Sequence, residues 1–148
     1  MDSEAQALIG RWELVSWRGE DEDGGAVWHG GARPEGSLIY LADGWMSVQI
    51  GHDPGERPTL GSRELDAGTE RDRTRAYDTY NAYCGRWAVI EPGVVVHHVE
   101  LAIHPDQPGM EKRREFELDG DELLLRTQAV RLGDGREASS ELRWRRAG

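Results

Sequence analysis

Residues 36–50 read GSLIYLADGWMSVQI. Two runs with strand-like alternation flank an Asp43-Gly44 pair, and Asp-Gly in that position is among the strongest short-range hairpin signals. On the second arm Met46, Val48 and Ile50 share one face, and Trp45, Ser47 and Gln49 share the other. The apolar trio therefore points to a core. On the first arm Leu38 and Tyr40 oppose Ile39 and Leu41, and alternation alone does not choose between two apolar faces.

The same reading extends outward. Period-2 segments fall at 10–18, near Val27 and Trp28, and at 85–90, 94–103, 110–118, 122–131 and 136–146. The breaks between them hold turn residues: the acidic stretch 21–25, then Pro92-Gly93, Pro108-Gly109, Asp119-Gly120 and Asp134-Gly135. Strands joined by short turns form an antiparallel meander, and closure into a barrel removes its edges. The expected fold is all-β, an antiparallel barrel of 8–9 strands in a single domain spanning 1–148.

One segment departs from alternation. Residues 51–65 hold Gly51, Pro54, Gly55, Pro58 and Gly61 and read as a loop. Over 66–83, Ala76, Tyr77, Tyr80 and Tyr83 fall at helical spacing, with Asp66 or Thr69 as cap and Gly85 after the end. This inserted helix is either a plug at one barrel end or a lid whose tyrosines face a ligand.

Composition narrows the partners. The 148 residues carry a net charge of −10, which disfavours nucleic acid or an anionic membrane surface. Of 18 basic residues, Lys112 is the only lysine; with 19 glycines, the Arg usage matches a high-GC bacterial genome. A single cysteine, Cys84, excludes an internal disulfide. Asp2 and Glu4 with no following apolar run do not fit a signal peptide, and no segment has the length of a membrane span, so a cytoplasmic protein is expected.

Alternation also names the interior. Trp12, Leu14 and Ser16 share a face, as do Trp87 and Val89. On 94–103 the inward set is Val95, His97, Val99, Leu101 and Ile103. On 110–118 it is Met110, Arg114, Phe116 and Leu118. Leu123, Leu125 and Thr127 go together, and Ala138, Ser140, Leu142 and Trp144 go together. His97 and Arg114 are the polar exceptions. A buried cation needs an acid, water or an anionic ligand. Arg114 accordingly holds a ligand anion, pairs with an internal acid, or turns outward through a one-residue slip. His97 is an acid/base group or a core histidine bonded to a tyrosine. His98 and Glu100 offer two metal ligands without a third, and no phosphate loop or nucleophile elbow occurs, so neither metal nor cofactor is expected.

Gly10 and Trp12 form the Gly-x-Trp pattern that opens the first strand of lipocalins, in which an Arg near the last strand covers that Trp. The last strand ends Leu142, Arg143, Trp144, Arg145, Arg146. With residues 36–50, YNAYCGRW at 80–87, HHVE at 97–100 and FELDGD at 116–121, the sequence resembles the bacterial lipocalin-like domain family. These are small stand-alone barrels often encoded near natural-product pathways. The resemblance implies a calycin-type barrel with a central cavity, in a fold whose members bind, transport or catalyse.

The expected function is binding of a small, largely apolar or amphipathic organic molecule bearing a carbonyl, enolate or carboxylate. The protein would act as a cofactor-independent cyclase or isomerase of a natural-product, polyketide-like pathway. The alternative is a non-catalytic binder or carrier, and a homodimer is compatible with either. The catalytic candidates are His97 as acid/base and Arg114 as anion clamp. The ligand-binding candidates are Tyr40, Met46, Val48, Tyr80, Tyr83, Trp87, Val99, Phe116 and Trp144.

Overall fold

The computed structural model describes residues 3–20, 26–127, 130–131 and 137–148. Ten strands follow in chain order: β1 (Gly10–Glu20), β2 (Ala26–Trp28), β3 (Glu35–Tyr40), β4 (Trp45–Gly51), β5 (Tyr80–Glu91), β6 (Val94–Ala102), β7 (Glu111–Asp119), β8 (Glu122–Thr127), β9 (Val130–Arg131) and β10 (Glu137–Arg146). All pairings are antiparallel. They run β1-β3-β4-β5-β6-β7-β8-β10, and β10 returns to β1, so eight strands close a barrel. β2 and β9 extend β1 and β10 outside that ring. The turns expected at 21–25 and at Asp134-Gly135 lie outside the described residues. Among the described residues no helix is long and apolar enough to cross a membrane.

The opening hairpin forms as its sequence dictates. Tyr40 pairs with Met46, Gly44 takes φ +92°, and the Trp45 N–H donates to Asp43 Oδ1 at 3.0 Å. Leu38 and Tyr40 are the inward pair on β3, while Leu41 is exposed.

One barrel end is closed by α1 (Ser3–Leu8), which the alternation argument did not anticipate. A six-residue helix shows too few turns for a periodic signal. Its Leu8 is fully buried, and its carbonyl accepts the Trp12 indole N–H at 2.9 Å. Arg146 stacks 4.2 Å above the Trp12 ring and donates to the carbonyls of Ile9 and Ala7 at 2.9 and 2.6 Å. Burying each large apolar side chain here contributes about 1.5–3 kcal/mol.

Two bulges change the faces expected from strict alternation. Between Leu14 and Ser16 the β1–β10 register slips, so Trp17 turns inward opposite Leu142 where Ser16 was expected. Between Cys84 and Gly85 the β5–β6 register slips by one around Glu100. Leu101, 65% exposed, and Ile103 therefore face outward, and Ala102 packs on the core instead. Met110 is also exposed, because it lies in the turn before β7.

The inserted helix is shorter than expected. α2 spans Glu70–Asp78, capped by Thr69 Oγ1 accepting from the Asp72 N–H at 3.1 Å. Tyr80 and Tyr83 belong to β5, where they pair with Gly51 and Val48. Their helical spacing was coincidental, and ladder pairing with β4 decides their structure. No residue of α2 is buried, so the helix is not a plug. Gly85 does not end a helix. It sits where β5 and β6 approach closely, and a Cβ there would overlap the His98 carbonyl oxygen.

Candidate functional site

The interior is polar at one place. β6 turns His97 inward, 2% exposed, between Val95 and Val99. Both imidazole nitrogens meet phenols: Nε2 lies 2.6 Å from the Tyr40 hydroxyl and Nδ1 2.7 Å from the Tyr83 hydroxyl. Neutral imidazole donates from one nitrogen and accepts at the other, so one phenol donates and the other accepts. The three rings form a single hydrogen-bonded chain across β3, β6 and β5. Burial, followed by the charges of Arg114 and Lys112, depresses the His97 pKa to about 3. Burial pushes the Tyr83 phenol up to about 12, opposed by the Arg114 guanidinium through charge and hydrogen bonding. The Tyr40 phenol is raised by burial first and then by Tyr83.

β7 supplies the charge. Lys112 pairs with His97 across the ladder and Arg114 with Val95, so both cations face the interior two residues apart. Lys112 is 9% exposed; its Nζ donates to Gln107 Oε1 at 2.8 Å and lies 4.2 Å from the Tyr83 ring centroid. Burial and then Arg114 lower the Lys112 pKa to about 8. Arg114 Nη1 donates to the Arg113 carbonyl at 3.2 Å. Among the described residues, neither cation pairs with a carboxylate.

Lys112, Arg114, Tyr83 and His97 border a cavity of about 100 Å³ in the barrel half away from α1. Leu38, Ile50, Leu125 and Leu142 form its apolar wall together with Trp17 and Trp144. Among the described residues, the buried indole N–H groups of those two tryptophans reach no acceptor. A pocket that engulfs a drug-sized ligand measures about 300–1,000 Å³. The space inside the barrel holds a group of only a few heavy atoms, and the cavity is open on one side. Above it, Trp17 packs against His29 and His52 at ring distances of 5.6 and 5.8 Å. The two loops carrying those histidines are joined where the Asp53 N–H donates to the Gly30 carbonyl at 2.6 Å.

Of the residues singled out from sequence, Val48, Tyr83, His97, Arg114 and Trp144 line the cavity. Tyr40, Met46, Trp87, Val99 and Phe116 are buried in the core beside it. Tyr80 does not join them. It lies three residues from Tyr83 on a strand, hence on the opposite face. Its hydroxyl bonds Gln49, and the Arg57 guanidinium sits 4.9 Å from its ring centroid. The expected tyrosine partner of His97 is real, but one phenol comes from β3 and neither from a helix. Sequence reasoning missed Lys112, although its position two residues from Arg114 gave the signal. The β1 bulge hid Trp17. The helical reading of 66–83 hid Asn81, which also lines the cavity. Among the described residues no three His, Cys, Asp or Glu side chains converge as metal ligands.

An eight-stranded antiparallel barrel, opened by Gly-x-Trp with an Arg stacked on that Trp and holding a small interior cavity, defines a calycin-type barrel. The chain belongs to the lipocalin-like domain family, whose sequence profile matches residues 9–147. A barrel of this kind is compatible with binding small hydrophobic ligands. A search of curated proteins finds no match to the chain.

Proposed function

We propose that the cavity binds a small organic molecule, apolar over most of its surface, with one carbonyl, enolate or carboxylate oxygen held at Arg114. The observation that carries this reading is the guanidinium itself. It faces the interior with no carboxylate partner among the described residues. The guanidinium is half-buried at the cavity wall, and a ligand oxygen bearing negative charge would give it a charge-assisted hydrogen bond there. Saturation-transfer NMR with butanone tests this. Transfer to the ketone that Arg114→Met reduces supports the reading. No transfer to butanone or to any charged analogue of its size overturns it.

A second reading, a cofactor-independent cyclase or isomerase of a natural-product pathway, is favoured by the Tyr40–His97–Tyr83 chain. With the His97 proton on Nδ1, the imidazole accepts from Tyr40 and donates to Tyr83, leaving the Tyr83 O–H to donate into the cavity. Tyr83 and Arg114 would then both stabilise the oxyanion that develops on the substrate as hydroxide from solvent removes its α-proton. His97, held neutral, acts through Tyr83 as a positioning residue. Protein-accelerated exchange of the butanone α-protons in D2O, lost in Arg114→Met and in Tyr83→Phe, supports turnover. Exchange at the buffer rate leaves the protein a binder or carrier.

A further inference from the structure

We propose that Lys112 and Arg114 together form a carboxylate site, and that the ligand is a short organic carboxylate whose hydrocarbon end packs against Trp17, Leu142 and Trp144. This rests on the cavity-binding reading above and narrows its ligand class from any polarised oxygen to an anion.

Three observations converge on that class. First, the two cations are adjacent on one face of β7 and border the same cavity. Like charges so placed repel, and Arg114 indeed disfavours the charged form of Lys112. A carboxylate neutralises part of both charges with two oxygens; a neutral carbonyl offers one oxygen and no charge. Second, among the described residues nothing charged opposes them. The titratable groups facing Lys112 from the neighbouring strands are His97 on β6 and Tyr83 on β5, with Tyr40 on β3 beyond them. All three are neutral at pH 7. Glu111 and Glu115, which alternate with the cations along β7, are exposed on the outer face. The amine's own partner, Gln107, is an uncharged amide.

Third, the cavity limits size. At about 100 Å³ it is smaller than the roughly 150 Å³ cavity known to enclose benzene. A carboxylate with about three further carbons matches that space. The protein's net charge of −10 makes an interior of unopposed positive charge the more distinctive. An anion entering such a low-dielectric site is held more strongly than on the surface.

The test compares butanoate with butanone by calorimetric or NMR titration. Butanoate should bind the wild-type protein at least about tenfold more tightly than butanone. Lys112→Met should remove about tenfold or more of that affinity and so lower the preference for butanoate over butanone by a similar factor. Exchanging a buried charge for an apolar side chain of similar volume is often neutral for folding, and Lys112→Gln provides a second variant. In the wild-type protein, butanoate affinity should fall several-fold from pH 7 to about 9.5 as the Lys112 ammonium is lost. The inference is overturned if butanone binds as tightly as butanoate, if folded Lys112 variants bind butanoate normally, or if affinity is flat over that pH range. Binding of butanone without butanoate overturns this inference alone. Binding of neither overturns the reading beneath it.

Discussion

His97 and Tyr40 stand 57 positions apart in the chain and 2.6 Å apart in the barrel, imidazole Nε2 against phenol oxygen. With Tyr83 on the other nitrogen, the imidazole is a structural keystone as well as part of the cavity wall. His97→Phe leaves two buried phenols without their partner, a loss of about 2–5 kcal/mol. The variant should melt well below the wild type, and Tyr40→Phe with Tyr83→Phe added should recover part of the loss. An unchanged melting temperature in the single variant would contradict this role.

The same residue sets an acid limit. The unfolded His97 has its ordinary pKa of 6.5, and the folded one about 3. Between those values the unfolded chain binds more protons, so stability falls as pH drops through that window and is fully present above it. Denaturant titrations from pH 7 to 3.5 should show the gap between wild type and His97→Phe narrowing toward acid. A constant gap would mean that the imidazole is not held neutral.

Arg146 belongs to the opposite, closed end. It combines a cation–π contact with Trp12 and two hydrogen bonds to carbonyls at the end of α1. Arg146→Met should cost about 2 kcal/mol in stability and leave butanoate affinity at the wild-type value. A large change in affinity would show that the two barrel ends are coupled.

Much of this was legible in the sequence because each interior strand has to alternate. The Asp43-Gly44 hairpin, the inward Met46–Val48–Ile50 row and the inward His97 and Arg114 all follow from period 2. Three features did not follow. Bulges at Val15 and Glu100 shift the period by one residue, and nothing local in the sequence announces them. Tyr77, Tyr80 and Tyr83 mimic a helix face, and only pairing with β4 shows that the last two are in a strand. Lys112 was readable by the alternation that placed Arg114, two residues along the same face.

The rim over Trp17 depends on one aspartate. Asp53 donates its N–H to Gly30 and accepts the N–H groups of Gly55 and Arg33 at 3.0 and 3.2 Å. Asp53→Ala should speed amide hydrogen exchange across 51–57 by about tenfold, and butanoate should slow exchange there in the wild-type protein. Exchange indifferent to both would mean that this rim does not govern entry to the cavity.

The central claim is that a small ligand sits in the barrel against the two inward cations of β7, Lys112 and Arg114. A crystal structure determined with butanoate tests it most directly. The account predicts its carboxylate within about 3 Å of Lys112 Nζ and an Arg114 guanidinium nitrogen, with the propyl chain toward Trp144. Butanoate found only on the protein surface, with Lys112 and Arg114 solvated or turned away from each other, would contradict it.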